Sequence, residues 1–120
     1  MADILVVDDN ADLRRLFKAM LGRGNRIFEA EDGAGALQMI RQVHPKLVFL
    51  DVMMPGELNG LQVLSAVRED PALCSTPIVI VTARGQEGDL ANAERHGADG
   101  YVVKPFGLKE LKIWTDKYLQ

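Results

Sequence analysis

The chain has 120 residues, 48% of them apolar and 26% charged, with a formal net charge of −3 and one cysteine, Cys74. That length and balance describe one ordinary domain that can bury a core without disulfides or a structural metal. They exclude an intrachain disulfide, and the lack of any Lys or Arg block argues against a nucleic-acid or membrane surface within this chain.

The first ten residues, MADILVVDDN, have no basic stretch before their apolar run and do not read as a signal peptide. No apolar run approaches the roughly 20 residues of a membrane span, so a cytoplasmic location is expected. Positions 4–7 (ILVV) predict a strand covered on both faces. A helix follows, in which Leu13, Leu16, Phe17, Met20 and Leu21 keep the spacing of a buried stripe. Asn10 is its expected N-cap, Asp12 lies in its first turn, and Gly22 and Gly24 end it. Positions 26–30 (RIFEA) alternate and predict a strand nearer an edge. The second helix carries Ala36, Leu37 and Ile40 and stops before Pro45.

Positions 47–50 (LVFL) predict another buried strand, followed by a helix with Leu61, Leu64 and Val67 that stops near Asp70-Pro71. Positions 78–81 (IVIV) predict a further buried strand. The fourth helix, over 88–96, has only Leu90, Ala91 and Ala93 as apolar material and is expected to be the least firmly anchored. A strand at 101–103 (YVV) precedes a last helix after Pro105, with Leu108, Leu111, Trp114 and Tyr118 along one side. Five βα units in succession predict an α/β fold, a doubly wound parallel sheet with helices on both faces and right-handed crossovers. No repeat or linker interrupts them, so residues 1–120 are expected to form a single domain.

Open parallel sheets bind ligands outside the carboxyl ends of their strands. This sequence puts Asp8-Asp9, Asp51, Thr82-Ala83 and Lys104-Pro105 at four such ends. Neighbouring strands lie about 4.8 Å apart, so these groups should converge. Carboxylates that close repel each other by roughly 3–4 kcal/mol per pair at an effective dielectric near 20. Protonation or a divalent cation can offset that, and donors that are all oxygen suit Mg²⁺. Lys104 adds a positive charge and Thr82 a hydroxyl. Cation, ammonium and hydroxyl together are what a phosphoryl group needs while a nucleophile attacks in line. Asp51, single and central, is the natural nucleophile, and the loop after it can supply a backbone carbonyl to a metal. Each residue alone has an ordinary reading, as a cap, a surface lysine or a strand threonine. Their joint arrival at the right strand ends is the specific signal.

The stretches ILVVDDN, VFLDVMMPG, IVIVTA and DGYVVKPF resemble the receiver domain of two-component response regulators, over essentially the whole chain, in the manner of a single-domain chemotaxis regulator. The resemblance implies a flavodoxin-like fold with strand order 2-1-3-4-5. It implies Asp51 as phosphoacceptor, taking its phosphoryl group from a sensor histidine kinase or a histidine phosphotransfer protein. It implies Mg²⁺ held by Asp9, Asp51 and the Met53 backbone carbonyl, with Asp8 in support. Thr82 and Lys104 would contact the phosphoryl oxygens, the small Ala83 would leave the acyl phosphate accessible, and Tyr101 would change rotamer as Thr82 moves. The bond before Pro105 would be cis.

On the same grounds Met53 and Arg84 would tune the lifetime of the modified state, and since neither would position a hydrolytic water, autodephosphorylation would be slow. Such a domain is not an enzyme toward external substrates; it catalyses only its own phosphotransfer and dephosphorylation. The output would pass through the face made by the fourth helix, fifth strand and fifth helix to a downstream protein or a fused output domain. A phosphorylation-dependent dimer could use that face too, with Trp114 and Tyr118 as candidates. Two departures stand out. The turn over 55–60 is one residue longer than the family's usual form, which bears on partner fit, and Gly107 stands where Asp or Ser often caps the last helix. Three other readings remain: an aspartate-based Mg²⁺ phosphohydrolase, disfavoured by Met53 where a second Asp is common; a degenerate receiver used only for docking; and a flavodoxin-like nucleotide carrier, disfavoured because Asp8-Asp9 occupies the phosphate-loop position.

Overall fold

The structure, a computed structural model, describes residues 2–52, 58–83 and 87–119, with the side chains of 87–90 excepted. Strands β1 (Ala2–Val7), β2 (Asn25–Ala30), β3 (Leu47–Asp51), β4 (Ile78–Ala83) and β5 (Gly100–Lys104) alternate with helices α1 (Ala11–Leu21), α2 (Gly33–Val43), α3 (Gly60–Glu69), α4 (Glu87–Arg95) and α5 (Leu108–Tyr118). All strand pairs are parallel, in the order β2-β1-β3-β4-β5. The alternating stretch is thus an edge strand, and the three continuous apolar runs are the three central strands. Among the described residues no helix is long and apolar enough to cross a membrane.

The period-two pleat divides each central strand between two cores. Leu5, Val7, Val48, Leu50, Ile78 and Ile80 face Ala36, Leu37 and Ile40 of α2, Val63, Leu64 and Val67 of α3, and Ala93 of α4. Ile4, Val6, Leu47, Phe49, Val79 and Val81 face Phe17 and Leu21 of α1 and Leu111 of α5. Each fully buried side chain of this size contributes roughly 1.5–3 kcal/mol, so the strands are held from both sides. Phe17 stacks at a tilt on Phe49 and on Phe106, with centroids 5.2 and 5.0 Å apart, which ties the segment after β5 to α1.

The helix termini follow local chemistry. The Asn10 side chain accepts from the N–H groups of Asp12 and Leu13 and starts α1. Asn59 and Gln62 cap α3 reciprocally, each side chain accepting from the other's backbone N–H at 3.0 and 2.8 Å. Gly22, after α1, stays in the right-handed region, and the left-handed turn falls at Gly24 with φ 84°. His44 closes α2 in the left-handed region at φ 50°.

Three positions expected in buried stripes are not there. Leu16 is exposed because it lies about 100° around the helix from Phe17, outside the arc that meets the sheet. Leu108, the first residue of α5, is also exposed, and Leu111 and Thr115 supply the buried contacts. Ala91 is exposed, which leaves Ala93 as the buried side chain among those described in α4, and Leu90 lies outside the described side chains.

Gly100 sits under Trp114, whose indole N–H donates to the Tyr101 carbonyl at 3.2 Å; a Cβ at position 100 would overlap the indole ring. Gly100→Ala should therefore displace the chain's one tryptophan, redden its emission, and lower stability by about 1–3 kcal/mol in urea denaturation. Unchanged emission and midpoint would refute this. Glu110 accepts from its own backbone N–H and from Gly107 N–H at 2.8 Å, which holds its carboxyl below the ordinary value of 4.5. A depressed folded-state value stabilises above the unfolded value and is lost as pH falls through the folded one. The Gly107 amide should thus lose its protection from hydrogen exchange as pH falls below 4.5, and Glu110→Gln should flatten that dependence.

Candidate functional site

The strand order reverses between β1 and β3, and the crevice there collects the acids. β1 pairs with β3 through Val7↔Leu50, so Asp8 and Asp51 both stand at the carboxyl end of the sheet. Asp51 pairs with Val81 and Thr82 with Val103, which brings the next two strand ends to the same edge, and Ala83 pairs with Lys104. One ligand oxygen from each of Asp8, Asp9 and Asp51 lies within 4.8 Å of the others. Asp8 and Asp51 are buried, at 1% and 4% exposure, and Asp9 is exposed.

Lys104 Nζ lies 3.2 Å from Asp8 Oδ2 and 3.4 Å from Asp51 Oδ2. Three carboxylates against this one ammonium leave two negative charges in excess among the described residues of the cluster. An all-oxygen donor set with that excess fits a hard divalent cation. Removing Lys104 would leave two buried carboxylates facing each other with less compensation.

Local contacts hold Asp8. Its other carboxylate oxygen accepts from Asn10 N–H at 2.9 Å, its N–H donates to Ala30 O at 3.1 Å, and its carbonyl accepts from Arg14 Nη1 at 2.6 Å. Arg14 was not singled out by sequence; its only linear signal is a cation inside an otherwise amphipathic helix. Gly60, at the start of α3, lies so close to β3 that a Cβ there would overlap the Asp51 carbonyl oxygen. Glycine at that position lets α3 begin directly behind Asp51.

Thr82 is 2% exposed, and its Oγ1 has no hydrogen-bond partner among the described residues. Ala83 beside it is exposed. Tyr101 is 49% exposed. The Lys104-Pro105 bond is cis. Met53 and Arg84 lie outside the described residues, as do positions 55–57 of the longer turn; the turn re-emerges at Leu58, half-buried against the core on the α2 side.

Comparison with known proteins points the same way. The sequence profile described as Response regulator receiver domain matches residues 4–115. The chain is 42% identical over 111 residues to the transcriptional regulatory protein ResD of Bacillus subtilis (strain 168), covering 92% of this chain and 45% of ResD. It therefore spans less than half the length of such curated relatives. Among solved structures, the receiver domain of NtrX from Brucella abortus superposes with a TM-score of 0.89 at 34% identity, covering 98% of each chain. The chemotaxis response regulator CheY4 of Vibrio cholerae gives a TM-score of 0.88 at 28% identity, again covering 98% of each chain.

The orphaned Thr82 hydroxyl yields a stability prediction. A buried unpaired hydroxyl costs roughly 1–3 kcal/mol, and valine has nearly its shape. Thr82→Val should raise the stability of the unmodified protein by about 1 kcal/mol in urea denaturation. A loss of stability would mean that the hydroxyl is bonded in solution.

Proposed function

This chain belongs to the response regulator receiver domain family, and from that premise we propose that it accepts one phosphoryl group on Asp51 from a phosphohistidine and changes its protein contacts as a result. Receiver domains are signalling domains that interact with kinases and output domains. The observation that carries the reading is the meeting of three groups at one strand-end edge. They are a buried Asp51 carboxylate in the acidic cluster, the Lys104 ammonium 3.4 Å from it, and the unpartnered Thr82 hydroxyl.

In the transfer, an Asp51 carboxylate oxygen attacks phosphorus in line. The phosphorus–nitrogen bond of the donor breaks, and the imidazole leaves with the electron pair and takes up a proton. Asp9 and Asp51, with the Met53 backbone carbonyl and with Asp8 in support, would hold Mg²⁺, which when bound supplies the positive charge that neutralises the phosphoryl oxygens. Lys104 already faces Asp51 and binds one of those oxygens. Thr82 gains in the product the acceptor it lacks before. Ala83 leaves room for the group, and Tyr101 turns inward behind Thr82.

The face of α4, β5 and α5 then presents a different surface to a partner protein or an output domain. Among the side chains described in α4 Ala93 is the buried one, and the low apolar content of that helix supports its role as the movable element, with the same face serving a phosphorylation-dependent dimer. Met53 and Arg84 offer no carboxamide or carboxylate to hold a hydrolytic water, so autodephosphorylation is slow. We place the domain, as one unit over residues 1–120, in the cytoplasm, where kinase and Mg²⁺ are available.

Acetyl phosphate with MgCl₂ should add the mass of one phosphoryl group to the wild type. Neither Asp51→Asn nor wild type in EDTA should gain it. Equal modification of Asp51→Asn, or none of the wild type, would overturn the proposal, and Asp51-dependent turnover of a phosphate ester would favour the hydrolase reading.

A further inference from the structure

The acidic pair at the end of β1 is held unequally. The Asp8 carboxylate is fixed at both oxygens, by Asn10 N–H at 2.9 Å and by Lys104 Nζ at 3.2 Å. The Asp9 side chain is exposed and makes no hydrogen bond or ion pair among the described residues, yet one of its oxygens reaches the cluster. Its placement is therefore inherited from the main chain. The peptide group before Asp8 is tied to β2 through Ala30 O at 3.1 Å. The peptide group joining Asp8 to Asp9 has its carbonyl held by Arg14 Nη1 at 2.6 Å.

Arg14 is itself oriented. Its Nε donates to Glu29 Oε1 at 3.1 Å, its side chain is only 15% exposed, and the other Glu29 oxygen lies 3.6 Å from Lys18 Nζ. A guanidinium serves two acceptors at a fixed angle because its donors form a rigid planar fork; the three donors of an ammonium rotate about a flexible stem and do not fix that angle. Glu29 on the edge strand thus aims Arg14, and Arg14 sets the plane of the Asp8–Asp9 peptide.

We propose that Arg14 is a positioning residue that preorganises Asp8 and Asp9 for a divalent cation, with Glu29 as the group that aims it. The inference rests on the reading of this cluster as the metal-binding part of a phosphoacceptor site. Arg14 touches neither metal nor phosphoryl group. It acts through the backbone, as outer-shell partners of metal ligands do, and their loss typically costs affinity by 10–100-fold.

Titration calorimetry of the full chain with MgCl₂ tests this. Arg14→Ala should weaken Mg²⁺ binding by about tenfold, and hydrogen exchange at the Asp9 and Asn10 amides, measured in EDTA, should be faster than in wild type. Arg14→Lys, which keeps the charge and guards against a folding defect in the alanine variant, should also bind more weakly. Glu29→Gln, which still offers an oxygen to Arg14 Nε, should stay near wild type. Wild-type Mg²⁺ affinity in Arg14→Ala or in Arg14→Lys would overturn the inference alone. A wild type that takes up neither Mg²⁺ nor a phosphoryl group would overturn the functional reading and this inference together.

Discussion

Lys104 bridges two buried carboxylates at the ends of the neighbouring strands β1 and β3, 3.2 Å from Asp8 and 3.4 Å from Asp51. Without that bridge, two like charges would share a crevice largely withdrawn from water. Unscreened repulsion of that kind is large enough to matter beside a total stability of roughly 5–15 kcal/mol. One ammonium does not neutralise three carboxylates. The residual charge makes the site a receptor for further positive charge, and the surrounding structure keeps the acids from relaxing away from one another.

That resistance to relaxation comes from the two-sided core. β1, β3 and β4 carry apolar side chains on both faces, so their carboxyl ends cannot shift without disturbing two clusters at once. Phe106, packed on Phe17, holds the segment just after Lys104 to the same core. Gly60 lets α3 start against the back of Asp51. The phosphoacceptor candidate and the acidic pair thus stand at the ends of strands buried on both faces, and their counter-charge at the end of the edge strand β5.

The other side of the crevice is built differently. Among the described residues Thr82 is buried with no partner for its hydroxyl, Tyr101 is half-exposed, and Ala93 is the buried side chain of α4. These features leave free energy to be gained by rearrangement on that side. Trp114, resting on Gly100 and bonded to the Tyr101 carbonyl, constrains how β5 and α5 move relative to each other.

By itself the sequence determined the alternation of strands and helices, the doubly wound class, and which residues end the strands. Those depend on periods of two and 3.6 residues and on local caps such as Asn10, all of which act over a few positions. The acids, Thr82 and Lys104 were legible because strand ends in a parallel sheet share one edge. Tertiary structure decided what lies far apart in the chain. Arg14 meets Glu29 across 15 positions, and Lys104 meets Asp8 across 96. Such pairings depend on strand order and on which helix covers which face, and no local pattern carries that information. The same holds for the exposure of Leu16 and Leu108, whose spacing fits a buried stripe although both lie outside the core. Gly100 likewise gains its meaning only from the indole that folding lays across it.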